Sequence, residues 1–322
     1  MKKGLKILII VATLLVIVGF GLFITVLAVN DFDFSKLNTE NYVTETYNIS
    51  EDFNNIEINI ETSSVNFVVS EDENTKVTCS ETDKLTYNVG VTNNTLTISS
   101  VDNRRWYNSF GFFTIRKEAM TIYLPKDTYN ALTIKNEVGS IMVPKNFTFE
   151  EVDIKCSVGS VSFYAKVNNG INIELETGNV KLENVTANNI SLKTATGRHT
   201  LNNVNATKTI SIKSDTGIIT LTAVRSENLR ASTDTGRVKL VDVISTNTWN
   251  INTSTGGVTL ENSDAGEIYI KTATGSVKGS LLTDKVFITS SDTGRINVPK
   301  TTSGGRCEIE TNTGSINITI SE

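Results

Sequence analysis

The chain has 322 residues, 20% of them charged and 39% hydrophobic, with a formal net charge of −5 at pH 7. Residues 1–30 contain no Asp or Glu, so the remainder carries 27 basic against 35 acidic side chains, a net −8 that offers no basic face for nucleic acid. A single histidine excludes His-pair zinc sites and argues against a Ser-His-Asp triad.

Residues 1–6 are short and basic, with Lys2, Lys3 and Lys6. From Ile7 to Val29 every position is uncharged and most are apolar. As a helix this stretch spans roughly 34 Å, enough for a bilayer core. Lysines before it and Asp31 and Asp33 after it orient the short N-terminus to the cytoplasm and residues 30–322 outward. A cleavable signal peptide would have a shorter apolar region, and no cysteine follows to mark a lipoprotein. An uncleaved single-pass anchor in the cell membrane is therefore expected.

Residues 30–138 read as an irregular β capping region. Ile56–Ile60, Val65–Val69, Val77–Cys79, Leu85–Val91 and Leu96–Ile98 alternate apolar and polar positions between polar clusters. Within this region Asp102–Lys117 breaks the pattern and gathers Arg104, Arg105, Trp106, Tyr107, Phe110, Phe112 and Phe113. Aromatic rings mixed with arginine suit either a partner contact or a seal over the end of a core.

From residue 139 to 322 a repeat takes over. Gly139, Gly159, Gly178, Gly197, Gly217, Gly236, Gly256, Gly275, Gly294 and Gly314 stand 19 or 20 apart, eight of them preceded by threonine. A period of this length marks stacked units that bury their apolar faces against one another. Counting from the glycine, positions −7 and −5 are apolar (Ile190 and Leu192, Ile210 and Ile212, Ile268 and Ile270), as are +2 and +4 (Val180 and Leu182, Val238 and Leu240). A third corner is expected near Val185, Val204, Val224 and Val243. Residues 145–298 contain no proline, as a continuous ladder of backbone donors requires.

The expected fold is all-β: a single-stranded parallel β-solenoid with 19–20-residue coils, stacked at about 4.8 Å to a length of order 50 Å. The glycines are expected to turn the corner, with φ > 0. The threonines at −1 and −3 are expected to line the interior as hydroxyl ladders. The last strand, Ser315–Ile320, is expected to form an open edge of the stack.

Three Asp-Thr-Gly triplets, at Asp215, Asp234 and Asp292, match the aspartic-protease signature only out of context, because Ala195, Ser254, Ala273 and Asn312 occupy the same slot in sister units. Asp215 and Asp234 should lie one coil apart as a solvated surface pair. His199 sits at +2 among Val180, Ile219 and Val238 and reads as a core-edge variant. Cys79, Cys156 and Cys307, three in an exported chain, read as buried free thiols, giving neither a disulfide framework nor a metal cluster. Lys135, Lys155, Lys193, Lys213 and Lys271 recur at −4 and suit a solvated face or an anionic wall polymer.

The anchor Ile7–Val29, the run Glu61-Thr62-Ser63-Ser64-Val65, Leu124-Pro125-Lys126 and the serial T-G-x-[IV]-x-[LFVI] turns together resemble a bacterial family of candidate adhesins built from β-strand repeats, of unknown function, which includes LiaG-like membrane proteins of cell-envelope stress loci. The resemblance implies a surface-exposed β-solenoid without assigned catalytic residues. The expected role is non-enzymatic, with no cofactor or metal: adhesion or envelope interaction through a repetitive surface, with a cell-wall glycan or a membrane protein as partner. An accessory or sensory role in an envelope-stress response is the alternative. A carbohydrate-active β-helix enzyme ranks last, because the outward acidic residues vary from coil to coil.

Overall fold

The computed structural model describes residues 3–29, 31–32, 42–103 and 119–321. Lys3–Val29 forms one α-helix whose span Gly4–Val29 is long and apolar enough to cross a bilayer, and its most apolar stretch is not buried inside the body. It anchors the protein in the cell membrane once, with the body outside. Everything else described is β-structure joined into one sheet system.

The body is a parallel β-solenoid. One wall holds the strand segments before each glycine, the other those after it, and neighbouring coils pair in register: Ile190 with Ile210, Leu192 with Ile212, Ile219 with Val238, Leu221 with Leu240. In-register stacking piles equivalent side chains into columns. The columns at −7, −5, +2 and +4 form one continuous core, with Ile210, Leu221, Val238, Trp249 and Ile268 all fully buried. Toward the N-terminal end the core turns aromatic: Tyr129 lies 5.9 Å from Phe149 and 6.4 Å from Phe147, and Phe149 6.4 Å from Phe163.

The glycine column is a backbone contact. A Cβ on Gly178 would sit 1.5 Å from the carbonyl oxygen of Gly159, and one on Gly217 would sit 1.6 Å from that of Gly197. Close approach of consecutive coils thus excludes any side chain there. Positive φ is the lesser reason: Gly178 has φ +147°, whereas Gly159, Gly217, Gly275 and Gly294 lie outside the left-handed range.

The left-handed conformation belongs to the third corner. Asn184, Asn203, Ala223, Asp242 and Asn262 all have φ between 47° and 57°, each just before a buried residue of that corner. Asn and Asp tolerate this region because a short polar side chain bonds locally. Asn203 Nδ2 donates to Asn184 Oδ1 at 2.7 Å, one coil below.

The expected inward ladder at −1 is corrected. Thr177, Thr196, Thr216, Thr235, Thr255, Thr274, Thr293 and Thr313 are all exposed. The register skips position −2, passing from Thr194 and Ser214 directly to Thr196 and Thr216, so two consecutive residues lie on the outside of the bend. Position −3 does point inward. Its hydroxyls close the corner: Thr233 Oγ1 donates to Gly217 O at 3.1 Å, and Thr272 Oγ1 to Gly256 O at 3.2 Å.

The stacking order departs from sequence order at both ends. Near the C-terminus Gly314 lies on Gly275, and Gly294 on Gly314. Strand Gly305–Thr313 pairs with Val258–Thr274 on one side and Lys285–Thr293 on the other, while Ile316–Ile320 lies between Val277–Leu281 and Ile296–Asn297. The expected open edge at Ser315–Ile320 is therefore overturned: the last coil by sequence is internal, and residues 285–297 form the end of the stack. Thr311 Oγ1 to Gly275 O at 3.0 Å and Ser291 Oγ to Gly314 O at 2.9 Å follow the same order.

At the other end, strand Asn55–Thr62 lies between Thr95–Asp102 and Thr128–Val138, so the first coil is covered too. Here the pattern is not purely parallel. Val43–Ile49, Thr75–Glu81 and Ala119–Leu124 pair antiparallel, and Leu85–Thr92 forms a hairpin with Thr95–Asp102 through Asn93 and Asn94, both at positive φ. Tyr47 Oη donates to Glu81 Oε1 at 2.6 Å and locks two of these closing strands.

Candidate contact surface

The outer surface carries a groove just before the glycine corner. It has a volume of about 630 Å³ and runs across several coils near the N-terminal end. One rim carries Lys135, Lys155 and Lys193 with Glu174 among them, the other Glu61, Glu137 and Glu176. Backbone register sets this arrangement: Lys135 pairs with Lys155, Lys155 with Glu174, and Glu174 with Lys193. Further up the same column Lys271 Nζ meets Glu310 at 3.0 Å, an exposed pair of small energetic weight. The groove is shallow, polar and of mixed charge.

Ser100 lies in this groove, and the chain leaves its strand at Asp102 to re-enter the body at Ala119. The residues singled out in this stretch, Arg104, Arg105, Trp106, Tyr107, Phe110, Phe112 and Phe113, lie outside the described residues.

Asp215, Asp234 and Asp292 are exposed on the corner. Asp215 and Asp234 belong to adjacent coils, whereas Asp292 has Asn312 as its stacked neighbour. Among the described residues no group of three or more His, Cys, Asp or Glu side chains is arranged to hold a metal ion.

His199 is fully buried, its Nε2 3.0 Å from Thr194 Oγ1, and burial pushes its pKa down to about 4. It is a neutral core side chain. Cys79, Cys156 and Cys307 are free and buried. Burial pushes the Cys79 and Cys307 thiols up to about 12, so they are inert rather than nucleophilic.

One buried polar cluster had no sequence signal. Asp264 accepts from Lys285 Nζ at 2.7 Å, from Thr283 Oγ1 at 2.7 Å and from the backbone N–H of Ala265 at 2.7 Å. The side chains of Lys285 and Asp264 are 4% and 9% exposed, so this pair lies inside the body. Each residue alone looks like ordinary surface charge, and the pair forms across the inserted coil that separates their levels.

A single apolar anchor carrying an external β-solenoid defines the class: a membrane-anchored β-solenoid surface protein. The chain belongs to the Toastrack DUF4097 family, whose model matches residues 53–209, 165–247 and 205–322. Among solved structures it is similar to a candidate adhesin from Bacteroides fragilis (18% identity, 87% of this chain and 97% of that one, TM-score 0.46). Two others are a candidate adhesin from Parabacteroides distasonis (12% identity, 87% and 98%, TM-score 0.46) and a candidate cell adhesion protein from Clostridium sporogenes (11% identity, 87% and 100%, TM-score 0.21). No curated protein sequence matches the chain.

Proposed function

We propose that this protein is a non-enzymatic surface rod that binds cell-envelope material through its repeated outer face. The observation that carries this reading is the groove with its lysine and glutamate rims, built from equivalent positions of successive coils. A shallow trough that crosses several coils suits an extended polymer with many weak contacts, whose effects multiply through effective concentration. Enzymatic turnover would need a convergent set of titratable groups, and the described residues on the groove rims are spread along it instead.

In this reading residues 1–6 are cytoplasmic, 7–29 the anchor, 30–138 the capping region and 139–322 the repeats. Arg104, Arg105, Trp106, Tyr107, Phe110, Phe112 and Phe113 are proposed from their aromatic and basic composition as a further contact with a cell-wall glycan or a membrane-protein partner. The LiaG-like resemblance supports a second reading, an accessory or sensory component of an envelope-stress response.

The test is binding of the full chain in detergent to isolated wall and membrane fractions. Binding is expected to fall at least about tenfold when Lys135, Lys155 and Lys193 are all replaced by Ser, with an unchanged melting curve. Wall binding supports the first reading and capture of one membrane protein the second. Binding to neither fraction, or binding indifferent to the triple substitution, sinks the groove as the site.

A further inference from the structure

The coil that ends the stack differs from every coil beneath it. On the outer face of interior coils, positions −8 and −6 hold no large aliphatic residue, as with Asn228 and Arg230, Glu267 and Tyr269, or Arg306 and Glu308. In the end coil the same two positions are Val286 and Ile288, 38% and 46% exposed. Its Ile296 occupies the +2 column, where Ile219, Val238, Val258, Val277 and Ile316 are all completely buried, yet it is 40% exposed. Leu282, 42% exposed, adds to the same end. Strand Lys285–Thr293 pairs on one edge only, with Gly305–Thr313, and no other described strand covers its free edge.

A free strand edge beside exposed apolar side chains is a template for another strand. We propose that this end coil is a self-association surface, at which two copies of the chain meet end to end by antiparallel pairing of Lys285–Thr293. The partner is a second copy in two-fold symmetry for three reasons. The opposite end of the stack is closed by antiparallel strands, so head-to-tail growth has no matching parallel acceptor. The ladder that joins coil to coil inside the body continues without interruption to this edge, so what it accepts is more of the same β-structure. Charge also fits: exposed Asp284 stands at one end of the strand and exposed Arg295 just beyond the other, so antiparallel pairing brings opposite charges together at both ends.

The test uses the full chain in detergent, by light scattering and by cross-linking. The wild type is expected at twice the monomer mass, and Val286→Ser with Ile288→Ser is expected to return it to monomer with an unchanged circular-dichroism spectrum. Ser290→Cys, near the two-fold axis, is expected to form a disulfide-linked homodimer, whereas Asn252→Cys, the same column in an interior coil, is not. A monomeric wild type overturns the proposal, as does a dimer that survives the double substitution. If the double variant does not fold, the two cysteine variants decide: equal cross-linking at Ser290→Cys and Asn252→Cys, or none at either, overturns it.

Discussion

Lys285 Nζ lies 2.7 Å from Asp264 Oδ1 although the C-terminal coil runs between the levels to which they belong. The lysine stem reaches past Gly305, where a Cβ would stand 3.8 Å from Lys285 Cδ, and a Cβ at Gly305 would also meet Gly266 O at 1.8 Å. Lys285 Nζ further donates to Thr283 Oγ1 at 2.7 Å, and Thr301 Oγ1 donates to Lys285 O. The ion pair therefore bridges the coils on either side of the inserted one, in a column kept narrow by two glycines.

Lys285→Met would leave Asp264 buried without its cation, which costs about 3–5 kcal/mol when such a pair loses one member. Asp264→Asn added to Lys285→Met is expected to restore much of that loss, because no charge then remains buried. Urea unfolding of the three proteins checks this. A loss under about 1 kcal/mol for Lys285→Met would show that the pair behaves as an exposed one and contributes little to the stability of this end.

Gly217→Ala places a methyl 1.6 Å from Gly197 O and 2.8 Å from Ser214 Oγ, so the coils must separate locally. The expected cost is about 3 kcal/mol or more. Gly90→Ala, with nothing within 4 Å of the new carbon, is expected to change stability by less than about 0.5 kcal/mol. Thermal melts of the pair make the comparison, and similar melting points would contradict the close-contact account.

Ala223 adopts φ 53°, where its companions are Asn184, Asn203, Asp242 and Asn262. An L-residue other than Asn, Asp or Gly is disfavoured there by about 1–2 kcal/mol per residue. Ala223→Asn is therefore expected to raise stability by about 1 kcal/mol. No gain in denaturant midpoint would mean that the corner relaxes to suit alanine.

His199 has a folded pKa of about 4 against an ordinary value of 6.5. The unfolded chain binds the extra proton first, so stability is complete above pH 6.5 and falls as pH drops toward 4. The total loss is about 3 kcal/mol. His199→Val, which restores the residue type of its column, is expected to flatten that part of the stability profile. An unchanged slope between pH 7 and 4 in the variant would assign the acid sensitivity elsewhere.

Cys79, Cys156 and Cys307 are expected to resist a thiol reagent in the folded protein at pH 8 and to react fully in denaturant. Rapid labelling of a thiol in the native state would show that its coil opens.

Much of this architecture was legible because a solenoid repeats its instructions. The −7, −5, +2 and +4 columns each recur, and one coil's pattern predicts the next. The exposed threonines at −1 were misread because the two-residue alternation continues through Thr194 and Thr196 while the backbone bulges at position −2 between them. The third corner showed its buried valines but not the left-handed residue before them, since Asn, Asp and Ala share no obvious pattern. Coil order was illegible for a deeper reason. Every coil offers its neighbours the same ladder, so local sequence fits either order, and the contact of Gly305 with Gly266 that fixes the observed order joins coils that are not consecutive in sequence. The groove had a sequence trace in the −4 lysines, but its acidic rim depends on the same bulge.

The inserted coil also constrains how the body can be assembled. Residues 305–320 are delivered after residues 285–297, yet they occupy the slot beneath them. A chain emerging N-terminus first cannot finish by laying each turn on the last. The penultimate turn must wait, or rest provisionally on the turn below and lift, until its successor threads in, so the slowest event in maturation is expected at the distal tip rather than at the membrane.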